Sequence, residues 1–558
     1  MKLTIAGNQI ALTEGTVISI ERSTPFLNDD TGSFSFPFPV PTLPNQQVLG
    51  WPGNLERSGD IPDQSFILEE SGMQVFRGEV DYDEVTAEEI GIILKSGYTE
   101  FTKKMEGKKL ADFDYGRENW PSGYIVEVAS PSMYDKLKEW DLSNTTDNGK
   151  YVVAPFWIDG YNINGQDWGG AGPTYIDNSD AGSLPEWGAG AFRGFGSYCL
   201  QFRVAFVLRK IFEGAGYVIK EDSFSSSEFN KAILYGKIIK VEIQGMSKLN
   251  IEFEPIGLQY STLMPDVEIL DFLDVLKNMF CLMYEINEQK KEVYIKFKKE
   301  IFLPENLDGM KIDELTGWVH REERALKGFS LAYSAQDNEL DTEFEYVVTA
   351  TGTVAPPAPT KEGDVYHRSD FSRDYSAVKN DSNALEWKEI GRLRERFEGD
   401  RENTIEMNVK VPAQKTNVIH SITLECPFLS GITIATGTTT DYLIPIPLTI
   451  SLYHGRKKFG GQVDFPYTSF DQFSLDGTID TGMSLKPAYL YDKVYSEFLN
   501  WQTYRARGFT KYIQLSILQL LALQWGKRYM INGAIVILDK INYDLPYTGT
   551  VEVSGFSV

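Results

Sequence analysis

Apolar and polar residues alternate at the amino terminus of the chain. Leu3 and Ile5 stand two positions apart between polar neighbours, and Ile10 resumes the same alternation. Successive side chains of a strand point to opposite faces, so this spacing predicts two short strands that each bury one face. Gly7 and Asn8 lie between them and favour a tight turn. The pattern therefore predicts a β-hairpin at the start of the chain.

A second pattern interleaves phenylalanine with proline in residues 34–41, FSFPFPVP. Phe34, Phe36 and Phe38 are two positions apart, which predicts that they share one face of an extended segment. Proline has no backbone N–H to donate, and it is confined to edge strands and bulges of a sheet. We therefore expect this segment at a sheet edge or bulge, or extended over a surface.

Helical periodicity is clearest in the middle of the chain. Apolar residues recur three and four positions apart over residues 200–211, and the pattern stops at Gly214, as is typical of a helix carboxy terminus. A second such set covers residues 269–280. Strand-like residues follow each set. Together these patterns predict a compact α/β unit over residues 197–300.

The carboxy-terminal part returns to strand patterns. Its strongest signal is Asn532 and Gly533 between two apolar runs, because Asn-Gly favours the positive φ angles of a type I′ hairpin turn. Alternation around Val551 predicts a last strand. The charged residues 386–401 are interpreted instead as a surface helix.

These patterns predict an α+β fold that is mainly β, with several small β-barrel or sheet domains and an inserted helix-plus-hairpin α/β unit. At 558 residues the chain has room for about three to four domains of roughly 150 residues each. The expected regions are residues 1–119, an amino-terminal β-barrel; 120–196, an irregular insertion rich in Gly and Trp; 197–300, the α/β unit; and 301–558, a second β-rich domain with a carboxy-terminal hairpin.

Charge changes this picture by opposing one class of function. The chain has 54 Lys and Arg against 79 Asp and Glu, a net charge of −25. Proteins that hold nucleic acid neutralise its phosphates with cations, so this composition argues against tight nucleic-acid binding. An acidic surface would let DNA slide through a conduit without sticking, and it would equally serve solubility. Both interpretations stay open.

Cysteine usage and hydropathy indicate which covalent cross-links, export signals and membrane spans to expect. Cys199, Cys281 and Cys426 lie far apart, so we expect buried thiols and neither a disulfide framework nor a CxxC metal site. The first residues lack the apolar stretch of a secretory signal, and no later run approaches the roughly 18 apolar residues of a membrane span. We therefore expect no signal-peptide export and no membrane span.

Metal and nucleophile motifs do not appear in the sequence. The four histidines have no second His or Cys within metal-ligand spacing, and we interpret each as structural; they are His320, His367, His420 and His454. GxSxG and P-loop patterns are missing as well. Residues 177–182 resemble a calcium loop, but Ala181 and Gly188 stand where ligands are needed. A plain turn is favoured there, and an irregular calcium site stays open.

Cofactor binding has only weak support. Several glycines between residues 188 and 196 superficially resemble a dinucleotide loop, but Arg193 occupies the place of the third glycine and no apolar strand leads in. Adjacent acidic pairs occur in several places, and none stands out as a glycosidase pair. No catalytic, metal or cofactor residue is therefore assigned, and no cofactor is expected.

Three tryptophans lie in or beside the Gly-rich loop of residues 159–196. Trp157, Trp168 and Trp187 could stack on sugar rings or anchor a protein contact, because aromatic side chains supply large rigid contact area. They could equally hold the loop against its own domain. A loop this long is uncommon unless it is functional or ordered by a partner. The three tryptophans are therefore the candidate partner or glycan contacts.

The order of these elements resembles the tail hub family of phages and related contractile injection systems. The residues that carry the resemblance are the hairpin 5–10, the segment 34–45 (FSFPFPVPTLPN), residues 75–78, the helix-plus-hairpin block 269–295 and the closing hairpin 529–541. The resemblance implies hub domains at residues 1–119 and 301–558 and a homotrimer whose barrels form a pseudo-sixfold ring. Residues 120–196 do not fit a minimal hub, which leaves room for a receptor-binding or enzyme-anchoring elaboration.

The resemblance implies a structural, non-enzymatic hub or baseplate protein of a virion tail, assembled in the host cytoplasm. Its partners would be a tail-tube or distal tail protein and a spike or tip protein, and DNA would pass transiently without tight binding during genome ejection. A second hypothesis is a tail-tip enzyme acting on cell-surface glycans, with acidic residues of 120–196 as acid and base. A third is a carbohydrate-binding adhesin for host attachment that stacks glycans on the three tryptophans.

Overall fold

The computed structural model describes residues 1–26, 32–52, 64–118, 196–241, 258–287, 290–310 and 483–558, with shorter segments between 149 and 176 and between 312 and 479. The fold is α+β and mainly β, as the sequence predicts. Within these ranges no helix is both long and apolar enough to cross a membrane.

One curled sheet of 14 strands takes strands from both ends of the chain. Its strands are Lys2–Ile5, Asn8–Gln9, Ile18–Ser23, Ser33–Ser35, Phe38–Pro41, Gln64–Glu70, Met73–Val85, Glu89–Ser96, Asp313–Glu314, Val319–His320, Gly508–Gln514, Arg528–Ile531, Ala534–Leu545 and Thr550–Ser557. Every pairing between these strands is antiparallel. Apolar side chains of these strands form most of one buried core.

The amino-terminal hairpin is confirmed, but its turn lies one residue earlier than expected. Ala6 and Gly7 have φ angles of 47° and 80°, whereas Asn8 already pairs with Ile5. Tight hairpin turns of this kind need positive φ at both central positions. Glycine supplies one of them without steric cost, and this fixes where the chain reverses.

The side-chain amide of Asn45 forms hydrogen bonds to the backbone of two segments near the amino-terminal strands. Its Oδ1 accepts the N–H of Ala11, and its Nδ2 donates to the carbonyl oxygens of Ala11 and Pro41, each at 2.9 Å. Ala11 follows Ile10, whose N–H donates to the carbonyl of Leu3. The buried amide therefore connects the backbone groups of Ala11 and Pro41 and satisfies their hydrogen bonds.

The closing hairpin is confirmed at the predicted turn. Ile531 pairs with Ala534, and Asn532 and Gly533 between them have φ angles of 48° and 78°. These values match a type I′ turn, the geometry for which Asn-Gly is preferred. The last strand, Thr550–Ser557, then pairs along the hairpin's second strand.

Two bridges and one short strand complete the pairing of the carboxy-terminal strands. Leu307 and Ile312 form parallel bridges with the strand Arg528–Ile531, and Asp313–Glu314 pairs with the strand Gly508–Gln514. Arg528–Ile531 and Gly508–Gln514 are also connected through the strands Ala534–Leu545 and Thr550–Ser557. The pairings therefore form a continuous ring around the carboxy-terminal core.

The central α/β unit contains two helices and a three-stranded sheet. The helices are Val204–Gly214 and Ile269–Phe280, and the strands, in sheet order, are Val218–Asp222, Glu292–Phe297 and Leu282–Asn287. The first pairing is parallel and the second antiparallel. Apolar faces of both helices pack into the largest core of the molecule. The helix-plus-hairpin prediction is therefore confirmed.

Two expected helical segments are wrong in part. Leu200 lies in the strand Gly196–Arg203, so the first helix begins at Val204 rather than near residue 200. In residues 386–401, the described part belongs to the strand Leu385–Gly391. Leu385 and Trp387 have the two-residue spacing of a strand, and that local pattern prevails over the charged composition.

The remaining elements form smaller sheets and short helices. A six-stranded sheet contains Tyr151–Val152, Gly196–Arg203, Ala232–Val241, Leu443–Ile444, Ile450–Phe459 and Val463–Ser469, and a five-stranded sheet contains Phe156–Ile163, Gln166–Asp167, Thr174–Ile176, Ala413–Ile419 and Ile422–Thr436. Smaller groups are Arg117–Glu118 with Leu258–Gln259; Phe329–Tyr333 with Glu345–Val348 and Asn403–Met407; Val365–His367 with Asp374–Lys379 and Leu385–Gly391; and Ser474–Leu475 with Thr478–Ile479. Among the described residues, the other α-helices are Thr42–Asn45, Tyr98–Met105, Ser223–Ser226, Pro487–Leu490, Ser496–Tyr504 and Ile517–Ala522.

The large sheet joins the first and last of the four expected regions. Its strands come from residues 2–96 and 313–557, with the central unit inserted between them in the sequence. The boundaries at residues 119, 196 and 300 stay predictions.

Candidate assembly surface

The two ends of the chain meet along one pair of strands. Ile18–Ser23 pairs with Ala534–Leu545 over six residues in register. Side chains reinforce the junction on its outward face: Ser19 Oγ donates to Asp544 at 2.6 Å, and Lys540 forms an ion pair with Glu21 at 2.8 Å. The amino- and carboxy-terminal strands are therefore one continuous surface.

The opposite face of the junction is a shared apolar core. Ile18, Ile20, Ile541, Tyr543 and Leu545 are all buried there. Each Å² of apolar area removed from water stabilises this junction by about 25 cal/mol. The two ends are therefore fixed relative to each other by both backbone pairing and a common core.

A row of cross-strand neighbours runs over the outward face, from the amino-terminal strands to the carboxy-terminal ones. In order they are Lys95, Phe34, Glu21, Asn542, Glu552 and Tyr512. Leu315 continues it, because its N–H donates to the carbonyl of Tyr512. Tyr512 and Leu315 are 44% and 47% exposed. This face therefore places exposed Tyr512 and Leu315 beside charged groups, and aromatic residues such as tyrosine are enriched in protein-binding surfaces.

The proline-rich segment is divided between two strands, and the sheet-edge prediction is confirmed for only one of them. Phe38–Pro41 pairs only with Glu89–Ser96 among the described strands, whereas Ser33–Ser35 lies between Glu89–Ser96 and Ile18–Ser23. The prediction that the three phenylalanines share one face is wrong for Phe38. Phe34 faces outward beside Lys95 and contacts Phe36 edge to face, with ring centroids 5.7 Å apart, whereas Phe38 is buried in the core. The break between the strands at Phe36 and Pro37 changes the side-chain alternation, and Phe36 is left 46% exposed.

Of the three candidate tryptophans, the structure describes one. Trp157 lies in the strand Phe156–Ile163, between Tyr175 of one neighbouring strand and Phe428 of another, and it is half-buried. Trp168 and Trp187 lie outside the described residues, as does the loop at 177–182. A partner or glycan contact through the three tryptophans stays a prediction.

The thiols that the structure describes are buried, as predicted. Burial raises the pKa of Cys199 far above that of a free thiol and that of Cys281 to about 12. Both stay protonated at neutral pH and are unreactive as nucleophiles, because the thiolate is the reactive form. The side chain of Cys426 lies outside the described residues. Among the described residues, no three His, Cys, Asp or Glu side chains come together in a way that could hold a metal ion.

Glu285 anchors the central unit to the large sheet, and sequence reasoning missed it. This buried carboxylate on the strand Leu282–Asn287 accepts the backbone N–H groups of Trp525 at 2.9 Å and Gly526 at 3.3 Å. Burial raises its pKa, opposed by these two donors and by the nearby charge of Lys296. A single Glu in an alternating strand gives no signal that its partners lie about 240 residues away.

Comparison with solved structures finds matches that span the whole chain. They are the 43 kDa tail protein of prophage MuSo2 from Shewanella oneidensis (9% identity, TM-score 0.26), a tail protein from Neisseria meningitidis MC58 (7%, 0.29) and the prophage tail protein gp18 from Listeria monocytogenes EGD-e (8%, 0.28). Each covers 100% of this chain and 97%, 95% and 94% of the respective matched chain. No family model and no curated protein matches the sequence.

Proposed function

We propose that this chain is a structural, non-enzymatic component of a phage or phage-derived tail. Its role is that of a hub or baseplate protein that joins the tail tube to the tip or spike. The observation that carries the proposal is the junction of Ile18–Ser23 with Ala534–Leu545, which unites two sets of curled strands into one rigid surface. The three similar solved structures are named as tail proteins.

The proposed hub is a homotrimer. The two strand sets of each chain would then supply six units in three chains, an arrangement that can mate with a sixfold tube. The mixed charged and apolar outward face offers contacts for a neighbouring subunit, and a net charge of −25 suits a passage for DNA. Proposed neighbours are a tail-tube or distal tail protein on one side and a spike or tip protein on the other.

The test is the mass of the purified chain in solution. Sedimentation velocity over a concentration series up to tens of micromolar should show a species of three chains that grows with concentration. The variant Tyr512→Lys should reduce the three-chain species, because it places a charge in the contact, whereas Arg117→Glu, a charge change at an exposed residue outside the large sheet, should leave it unchanged. A chain that stays monomeric over the whole series contradicts the proposal.

A further inference from the structure

The three-stranded sheet of the central unit has an open edge. Its outer strand, Val218–Asp222, pairs with Glu292–Phe297 on one side, and no strand within the described ranges pairs with the other side. The residues of this strand are exposed or half-buried, and Val218 is 58% exposed. An edge strand presents N–H and C=O groups with which another extended chain can pair.

An open groove of about 450 Å³ follows this edge. The exposed strand forms one wall, and Arg209 and Glu213 of the helix Val204–Gly214 form part of the other. Binding clefts have volumes of about 300–1,000 Å³, so the groove is large enough to hold a short segment of chain. PDZ and PTB domains bind extended peptides on such a sheet edge.

All but one of the charged side chains that line the groove form an ion pair or a hydrogen bond. Glu213 pairs with Lys210 at 2.7 Å, and Lys220 pairs with Glu292 at 3.2 Å. Arg209 is exposed and has neither an ion pair nor a hydrogen bond with any residue that the structure describes. In a chain with a net charge of −25, this leaves an unmatched cation at the groove.

The fourth charged residue of the groove lining is engaged locally. Asp222 accepts the N–H of Ser225 at 2.8 Å and caps the short helix Ser223–Ser226. Its carboxylate therefore has hydrogen-bond donors of its own, and Arg209 remains the lining residue available to an incoming anion.

We infer that this groove binds an extended segment of a partner protein, which adds as a strand beside Val218–Asp222 and sets a carboxylate against Arg209. Backbone pairing with the edge supplies affinity, and side chains at alternate positions supply specificity. One such side chain is apolar and covers Val218. Another is acidic, because a guanidinium such as that of Arg209 can form a bidentate pair with a carboxylate. The inference concerns a binding partner of each chain, so it holds for a monomer and a trimer alike.

The probe is a fluorescent hexapeptide, blocked at both ends, in which valine alternates with threonine and one aspartate. Two matched peptides accompany it: one with lysine in place of aspartate, and one N-methylated at alternate backbone nitrogens. Binding is followed by fluorescence anisotropy, and hydrogen exchange of residues 218–222 reports the site. The protein variants are Arg209→Glu in the groove and Arg505→Glu, an exposed arginine outside it.

The aspartate peptide should bind about tenfold more tightly than the lysine peptide, the size expected of one charge-assisted hydrogen-bonded pair. Arg209→Glu should reverse that preference and Arg505→Glu should leave it unchanged. N-methylation should remove binding, and the aspartate peptide should slow exchange at residues 218–222. Three results would each overturn the inference: no binding by the aspartate peptide, equal binding by the aspartate and lysine peptides, or undiminished binding after N-methylation. The trimer measurement is separate, so failure here does not bear on the proposed function.

Discussion

Two glycines mark places where neighbouring strands approach more closely than any side chain allows. A Cβ atom added to Gly78 would lie 2.0 Å from the carbonyl oxygen of Lys95, and one added to Gly555 would lie 2.2 Å from that of Ile537. Both obstacles are backbone atoms, which cannot rotate away as a flexible side chain could. Glycine in a strand interior often marks such a close approach. The two glycines lie in the amino- and carboxy-terminal strand sets respectively.

Replacement of either glycine by alanine should destabilise the large sheet. Gly78→Ala and Gly555→Ala should each lower the free energy of unfolding by about 1–3 kcal/mol, the usual cost of overpacking, or by more. Urea unfolding followed by tryptophan fluorescence measures the change. Gly309→Ala is the matched control, since a Cβ there meets no atom within 4 Å, and it should change stability by less than about 0.5 kcal/mol. Equal effects at all three positions would contradict the prediction.

At the scale of elements, local patterns form hairpins and helices, and a few polar groups hold these elements together. The closing hairpin and the helix Ile269–Phe280 form where the sequence predicts them. The docking of the central unit on the large sheet depends on Glu285, whose carboxylate accepts two consecutive backbone N–H groups. Gly526 allows this approach, because a Cβ atom added at this position would lie only 3.3 Å from Glu285 Oε2.

The raised pKa of Glu285 makes this docking dependent on pH. Its folded-state pKa lies above the unfolded value of about 4.3, so its stabilising contribution is full below that value and is lost as pH rises through the folded pKa. The wild type should therefore lose stability relative to Glu285→Gln as pH is raised from about 4 to neutrality. Melting temperatures of both proteins across this range provide the measurement.

The control for this pH dependence is Glu106→Gln, because Glu106 is exposed at the end of the helix Tyr98–Met105. Its stability difference from the wild type should stay constant over the same pH range. If the difference between wild type and Glu285→Gln were equally constant, or changed with the opposite sign, the burial of a carboxylate would not be what sets this contact.

At the scale of the whole molecule, one large sheet takes strands from both ends of the chain, and the central unit is inserted between its two sets of strands in the sequence. The junction pairs residues about 525 positions apart, such as Ser19 with Asp544. The chain as a whole carries a net charge of −25. In the proposed hub, that charge keeps the passing genome from adhering to the protein, because phosphates and carboxylates repel each other.

The charge predicts that the chain does not retain double-stranded DNA. Anisotropy of a fluorescent duplex should stay flat as protein is added, both at about 0.05 M and at about 0.2 M salt, the range over which proteins that contact many phosphates lose affinity. A basic DNA-binding protein is the positive control. Saturable binding that weakens with salt would show a cationic DNA site and would contradict the proposed passage.

The sequence could predict much of the local structure and little of the surface. Asn532 and Gly533 determine their turn within two residues, and the apolar face of Ile269–Phe280 repeats within one helix. Phe34 and Phe38 look equivalent in the sequence, yet they face opposite sides because the strand breaks between them. Spacing alone cannot reveal such a break, since it depends on which strands are available as partners.

The candidate surface was beyond sequence reasoning for the same reason. The row from Lys95 to Tyr512 joins strands that are scattered through the chain, and no local pattern relates them. Periodicity and turn chemistry act over a few residues, and they determined by themselves the terminal hairpins, the two helices of the central unit and the mainly β fold. Only the tertiary structure decided that the first and last strands share one sheet and one core. The reason is that strand partners are selected by complementary buried faces, and distant parts of the chain bring these faces together only as it folds.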